Sequence, residues 1–179
     1  MKKVNKIIYT IILLPIIISC SEKKYDIEKI GLEFSTIDAA TEHVIKTQKE
    51  CFDIFSRALD TLKENRAAII DTAQFRLLID KSISETMWSI TLIQNTESED
   101  KEVGFKDKAL AYETLSRQIQ EHEFKECIML LAESNADRYY KLAHKLKPTL
   151  NKLTLAEDEF NNAVKLMVSK YGIQEVNMK

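Results

Sequence analysis

The chain has 179 residues, of which 45% are hydrophobic and 30% are charged. These proportions are typical of a folded domain and exclude a chain that is disordered throughout. Glycine occurs 3 times and proline twice, whereas β-sandwiches, barrels and doubly wound folds need these residues at most of their turns. The net charge of −2 does not supply the basic surface that nucleic-acid binding requires. Composition therefore predicts an all-α domain of long helices.

The first 19 residues carry the pattern of an export signal. Lysines at positions 2, 3 and 6 precede an apolar run over residues 7–18. At about 12 residues this run is too short for a membrane-spanning helix, which needs about 20, and is typical of a signal peptide. We expect cleavage to remove residues 1–19. The remaining chain then has 23 basic and 28 acidic residues, a net charge of about −5.

The end of the apolar run, Ile17-Ile18-Ser19-Cys20, resembles the lipobox of bacterial lipoproteins. The resemblance implies cleavage before Cys20, a thioether from its sulfur to diacylglycerol, and acylation of its new amine by a fatty acid such as palmitate. Two or three chains anchor a protein durably, because each buried CH₂ contributes about 0.8 kcal/mol. A secretory signal that happens to end in cysteine, or a short uncleaved anchor, are the alternatives.

The residue after the cysteine bears on location. Ser21 stands where many lipoproteins retained in the inner membrane have aspartate. The resemblance therefore implies the cell envelope and favours the outer membrane, with the periplasmic and surface faces both open. We expect residues 20–34 to form a lipidated tether, residues 35–173 a helical bundle domain, and residues 174–179 a tail.

Capping residues followed by apolar side chains three and four positions apart predict the helices. Ser35-Thr36-Ile37-Asp38 reads as a capping box that opens a helix over about 36–68. The same logic predicts a second helix over about 72–95 and a third from Phe105 to at least Glu133. The acidic segment 95–104 is predicted to be an exposed loop.

A break is expected between residues 135 and 153. Pro148 removes a backbone hydrogen bond and disfavours helix at the residue before it. Thr154 begins another capping box, and Gly172 is placed as the glycine that ends the last helix. Short links make successive helices antiparallel. The predicted fold is an all-α, antiparallel up-down four-helix bundle with long helices and a kink or break near 135–153.

The histidines decide whether the bundle has the ligands of a metal centre. Di-iron bundles use Glu-x-x-His pairs, but no carboxylate stands three residues before His43, His122 or His144. His122 lies on the predicted apolar stripe with Glu126 one turn later. We interpret it as a structural residue. A small-ligand or metal site would instead require His122 and Glu126 to converge with His43 or His144.

Cys51 and Cys127 are the thiols that remain after Cys20. Their positions on the first and third predicted helices differ by about 10 Å of helical rise, too far for a disulfide unless the helices are staggered. We expect two buried free thiols, with a disulfide as the alternative in an exported chain. No motif points to catalysis or to a cofactor.

The mature region resembles, loosely, small all-helical bacterial surface lipoproteins of uncharacterised function, on its lipobox and on a glycine-poor pattern ending in Lys170-Tyr171-Gly172-Ile173. We expect a non-enzymatic, lipid-anchored envelope protein with a protein-interaction or structural role. Its partners would be the membrane, through Cys20, and an unidentified protein, but not nucleic acid. The alternative function is a small-ligand or metal-binding four-helix bundle in the periplasm or on the surface.

Overall fold

A computed structural model describes residues 26–100, 102–133 and 135–173. The predicted signal peptide, Cys20 and the predicted tail at 174–179 lie outside these ranges. All regular structure in them is helical, which confirms the all-α prediction of four helices. The third helix is continuous but contains a π-helical turn, and we call it the third rod. The helices are α1 (Ile27–Glu64), α2 (Ala73–Asn95), the third rod made of α3 (Phe105–Ile119), the π-turn (Gln120–Phe124) and α4 (Lys125–Ala132), and α5 (Arg138–Tyr171).

Contacts between helices reveal their relative directions. Residues that come early on one helix contact residues that come late on the next helix. The pairs are Ser89–Glu113 and Ser82–Gln120 between α2 and the third rod, and Lys108–Glu159 and Glu123–Lys152 between the third rod and α5. Between α1 and the third rod the order is the same on both, from Phe34–Phe105 to Phe55–Phe124. These two helices are therefore parallel and share the centre of the bundle.

The first helix begins earlier than its sequence predicts. It starts at Ile27, where the Asp26 side chain accepts a hydrogen bond from the backbone N–H of Lys29 at 3.2 Å. The expected tether over 20–34 is therefore wrong for residues 27–34. Ile30 and Phe34 are fully buried, because they extend the apolar stripe of Ile37 backward at helical spacing. Glu28 and Lys29, at the start of the helix, are exposed and give the segment its tether-like composition.

The predicted break lies at one place only, between the third rod and α5. Arg138 is buried there, and its guanidinium donates hydrogen bonds to the carbonyls of Leu131 and Glu133 and to two carbonyls of the link 65–72. Helix α5 then continues through Pro148, and Thr154 lies inside it, so the predicted new start at Thr154 is wrong. Pro148 is on the exposed face of α5, so the carbonyl that lacks its helical N–H partner there is accessible to solvent. Gly172 ends α5 at φ 64°, as predicted.

The acidic segment 96–104 is tied down rather than free. Glu33 of α1 is buried and accepts hydrogen bonds from Ser98 Oγ at 2.7 Å and from the backbone N–H of Glu99 at 2.8 Å. Asp100 is also buried, and its carboxylate accepts the Tyr171 hydroxyl at 2.7 Å and three backbone N–H groups of residues 102–104. The prediction of an exposed loop is therefore wrong at Asp100, because these carboxylates replace water as acceptors for the turn's amides.

The core differs on its two sides. Where α1 and the third rod meet α5, it is aromatic and aliphatic: Phe105 stacks on both Phe34 and Phe160, with ring centroids 5.2 and 5.5 Å apart. Where they meet α2, the apolar side chains Ile79 and Ile93 are buried only towards its two ends. Between them α2 presents hydroxyl side chains to the core. In the described ranges, no helix has the length and hydrophobicity needed to cross a bilayer.

Candidate functional site

A cluster of buried polar side chains fills the middle of the interface between α1, α2 and the third rod. We call it the polar seam. Each of its members is at most 3% exposed. They are Thr41 and Gln48 of α1, Ser82, Thr86 and Ser89 of α2, and Glu113 and Gln120 of the third rod.

Helical spacing explains why these residues share one face. Thr41 and Gln48 are seven residues apart, as are Ser82 and Ser89, and Glu113 and Gln120. Seven residues make nearly two turns, so each pair points in one direction about 10 Å apart along its helix. Because α1 and the third rod run parallel while α2 runs against both, the three stripes meet along one line. The small α2 side chains leave room for the longer ones of Gln48, Glu113 and Gln120.

Glu113 is the only carboxylate of the seam. Burial raises its pKa to about 7, although hydrogen bonds from Ser89 and Thr41 act in the opposite direction. Both hydroxyls donate to the same oxygen, Oε1, from Ser89 at 2.6 Å and from Thr41 at 3.2 Å. The other oxygen, Oε2, is buried and has no hydrogen-bond partner in the part of the chain that the structure describes. The group therefore changes charge near neutral pH inside the protein.

The two glutamines of the seam each use their amide nitrogen and leave their oxygen unpaired. Gln120 Nε2 donates to Ser82 Oγ at 2.8 Å and to Thr86 Oγ1 at 3.0 Å. Gln48 Nε2 donates to the backbone carbonyl of Ser116 at 3.3 Å. Neither Oε1 atom meets a donor among residues 26–100, 102–133 and 135–173. Glu113 Oε2 and the hydroxyl of Ser116, which is buried between Glu113 and Gln120 on the same rod, are also unpaired, so four buried polar atoms of the described chain lack a partner at this interface.

The π-turn lies at one end of the seam and begins at Gln120 itself. A π-helical turn inserts one extra residue into an α-helix, and such turns occur frequently at functional sites. Here Gln120 and Phe124 are buried while His122 is exposed. The insertion thus rotates the rod and removes His122 from the apolar stripe on which the sequence placed it.

The three histidines do not converge. His43, His122 and His144 are all exposed, His43 Nε2 lies 3.4 Å from Glu85 Oε2 on the surface, and Glu126 pairs with Lys145. The proposed site built on His122 and Glu126 is therefore wrong. Within the described ranges, no group of three or more His, Cys, Asp or Glu side chains is arranged to hold a metal ion.

Both cysteines of the described chain are buried and free, as predicted, and the alternative of a disulfide between them is wrong. Burial raises the pKa of Cys51 to about 11, although Ser82 lies close enough to hydrogen-bond its thiol, and burial raises that of Cys127 to about 12. Only a thiolate is nucleophilic. These two thiols therefore stay neutral and serve as packing residues.

A surface groove of about 700 Å³ runs between the π-turn and α5. Its lysines are already paired with carboxylates. Lys145 meets Glu126, and Lys152 lies 4.0 Å from Glu123. The groove therefore presents a balanced surface, and the polar seam is the stronger candidate for a site.

No family model, no curated protein and no solved structure matches the chain. The sequence did contain a signal for the seam, because Ser82, Thr86 and Ser89 recur at spacings of four and three like a core stripe. The same helix also carries an apolar stripe in the sequence, with Met87 among its residues, and this stripe competes with the polar one. Met87 is in fact exposed.

Proposed function

We propose that this protein is a lipid-anchored lipoprotein of the bacterial cell envelope, favouring the outer membrane, with a non-enzymatic role in protein interaction or support. The proposal depends above all on the lipobox-like Ile17-Ile18-Ser19-Cys20 that follows a basic start and a short apolar run. A compact helical domain beginning soon after that cysteine is consistent with it.

The early start of α1 makes the proposed tether short. The chain from Cys20 to Ile27 spans at most about 25 Å when fully extended. The same end of the bundle carries Asp100 and Tyr171, which are hydrogen-bonded to each other. If Cys20 is lipidated, this end stays near the bilayer, and the opposite end points away from it.

The end of the bundle that would point away from the membrane exposes apolar side chains. Ile69 in the link 65–72 is 97% exposed and Tyr140 at the start of α5 is 64% exposed. Arg66 stacks on the Tyr139 and Tyr140 rings, with its guanidinium carbon 3.7 and 4.8 Å from their centroids. Exposed aromatic and arginine side chains are typical of protein contact surfaces. This end is therefore where we expect a protein partner to bind.

Lipidation is tested by expressing the full chain in a bacterium fed an alkyne analogue of palmitate. The expected result is label and membrane attachment that are lost in Cys20→Ser and retained in Cys127→Ala, a matched change at a buried thiol. Mass spectrometry should find Cys20 as the first residue of the mature chain. Label that persists in Cys20→Ser, or a mature chain beginning elsewhere, would refute lipid anchoring.

The interaction role is tested with a photo-crosslinking amino acid introduced separately at Ile69 and at Leu166. Leu166 is a matched control, since it is 57% exposed but lies near the opposite end of the bundle. We expect one discrete cross-linked product in intact cells from Ile69 and none from Leu166. Equal or absent products at both positions would contradict a contact surface at this end.

A further inference from the structure

We propose that two copies of this chain pair side by side through the exposed face of α2. This surface, which we call the outer stripe, follows the helix at alternating spacings of four and three residues, and all of its members are exposed. They are Leu77, Lys81, Ser84, Trp88, Thr91 and Asn95. The chemistry of the outer stripe is independent of lipid anchoring, whereas the orientation of the two copies rests on the anchoring proposed above.

Helix α2 is polar on its buried side and carries large apolar side chains on its exposed side. Ser82, Thr86 and Ser89 are buried in the polar seam. On the outer stripe, Leu77 is 72% exposed and Trp88 is 60% exposed. A surface helix of a single folded domain usually shows the opposite arrangement, with its apolar side facing the core. The outer stripe therefore has the character of a contact surface.

The charge pattern allows a second copy to approach this surface. Residues 86–96 contain no charged side chain, and this is the longest such run within residues 26–100, 102–133 and 135–173. Lys81 is the one charged member of the outer stripe, and its Nζ lies 3.5 Å from Glu85 Oε1 of the same helix. Like charges that meet across an interface repel each other. Since the mature chain has a net charge of about −5, a neutral face is where two copies can meet without this repulsion.

The side chains of the outer stripe can pair with copies of themselves. A two-fold interface sets one surface against the same surface of the second molecule. The hydroxyls of Ser84 and Thr91 and the amide of Asn95 each carry a donor and an acceptor, so they can hydrogen-bond with the same residue types across the axis. Trp88 lies between Ser84 and Thr91, and tryptophan is enriched among the residues that dominate interface energies. This chemistry fits a second copy better than a strongly charged partner.

Lipid anchoring would orient the two copies for this contact. Helix α2 runs along the side of the bundle, from the link 65–72 to the end that carries Asp100. Copies anchored through Cys20 would stand on one membrane with the same end down, so their sides meet and their local concentration rises. Standard interfaces bury about 800 Å² on each partner, which is more than one stripe of six side chains supplies. We therefore expect a weak dimer with parallel α2 helices that persists because both copies share one membrane.

Photo-crosslinking in intact cells tests the pairing. A photo-reactive amino acid is introduced at Thr91 of the full chain, and at Leu155 of α5 as a control that is 66% exposed outside the outer stripe. We expect a product of twice the mass of one chain from position 91, containing only this protein by mass spectrometry, and no such product from position 155. No product from position 91, or a product with lipid or with a different protein, would overturn the pairing. Label from the palmitate analogue is read in the same samples, so failure of pairing and failure of lipid anchoring are separate results.

A charge introduced on the outer stripe assigns the contact to this face. Trp88→Glu places two like charges across the interface and should reduce the two-chain product from position 91 by at least about tenfold. Leu155→Glu makes the same kind of change at an exposed apolar residue elsewhere and should leave the product unchanged. Circular dichroism should show equal helix content in both variants, because both residues are exposed. A full yield of the two-chain product in Trp88→Glu would overturn the assignment, and if this variant does not fold, the product from position 91 in the otherwise wild-type chain decides the question.

Discussion

Replacing Glu113 by glutamine should change the pH dependence of stability more than any other single substitution in the seam. Glutamine has nearly the same shape, and its Oε1 can still accept the hydroxyls of Ser89 and Thr41. What it cannot do is ionise. The substitution therefore separates the charge of Glu113 from its packing.

The expected magnitude follows from the shift in pKa. Burial raises the pKa of Glu113 from 4.5 to about 7, and each unit corresponds to about 1.4 kcal/mol. Below about pH 4.5 both the folded and the unfolded chain are protonated at this site. Between about pH 4.5 and 7 the unfolded chain loses its proton first, so the folded state loses stability as the pH rises. Above pH 7 the loss is complete, at about 3 kcal/mol.

Chemical denaturation at several pH values measures this effect. Relative to wild type, Glu113→Gln should be nearly neutral at about pH 4 and more stable by about 3 kcal/mol at about pH 8. Glu121→Gln controls for loss of a carboxylate on the same rod and should show no such trend. A difference between Glu113→Gln and wild type that is the same at both pH values would refute a buried carboxyl that titrates near neutrality.

Other substitutions test the rest of the structure. Phe34→Ala should lower the free energy of unfolding by about 3–5 kcal/mol in denaturant, because Phe34 is a core residue. Leu32→Ala, at a side chain that is 69% exposed, should change it by no more than about 0.5 kcal/mol. Equal effects of the two substitutions would indicate that residues 27–34 are a tether and not part of the packed helix. Pro148→Ala should raise stability by roughly 1–3 kcal/mol, since proline disfavours a helix interior, and unchanged unfolding would contradict this. Burial opposes ionisation of Asp100, but hydrogen bonds from Tyr171 and the backbone outweigh burial and lower its pKa. Wild type should therefore lose stability as the pH falls below about 4 and Asp100 becomes protonated, and Asp100→Asn should make this loss smaller. The same loss of stability at acid pH in both proteins would argue against this role of Asp100. Trp88, the single tryptophan, is 60% exposed, so its fluorescence should be readily quenched by acrylamide in the folded monomer, whereas protection from the quencher would place it in an interface.

Local sequence predicted the bounds of a helix well where capping residues and an apolar stripe on one face mark its ends. The second helix was expected over 72–95 and is found at Ala73–Asn95, and Gly172 ends the last helix as expected. Apolar spacing and capping act within a few residues, so they can be read from a single segment. The errors at Ile27 and Thr154 arose because a capping pattern inside a helix looks the same as one at its start.

Local sequence carries only part of the signal for the polar seam, which is the helical spacing of its α2 residues. Ser82, Thr86 and Ser89 are neutral residues in isolation, and only the approach of α1 and the third rod turns their face into a buried one. The raised pKa of Glu113 has the same origin, because desolvation depends on neighbours from other helices. His122 is the opposite case: its sequence position predicts a residue on the apolar stripe, but the π-turn leaves it exposed.

The amino-acid sequence alone was sufficient to specify a helical chain, its approximate segments and the lipobox-like cysteine at its start, because composition, periodicity and motif are properties of neighbouring residues. Which helical faces became the core, which polar groups lost their water and which histidines stayed on the surface were decided by packing between helices. Those outcomes depend on contacts between residues far apart in the chain, such as Thr41 and Glu113, and no local pattern contains them.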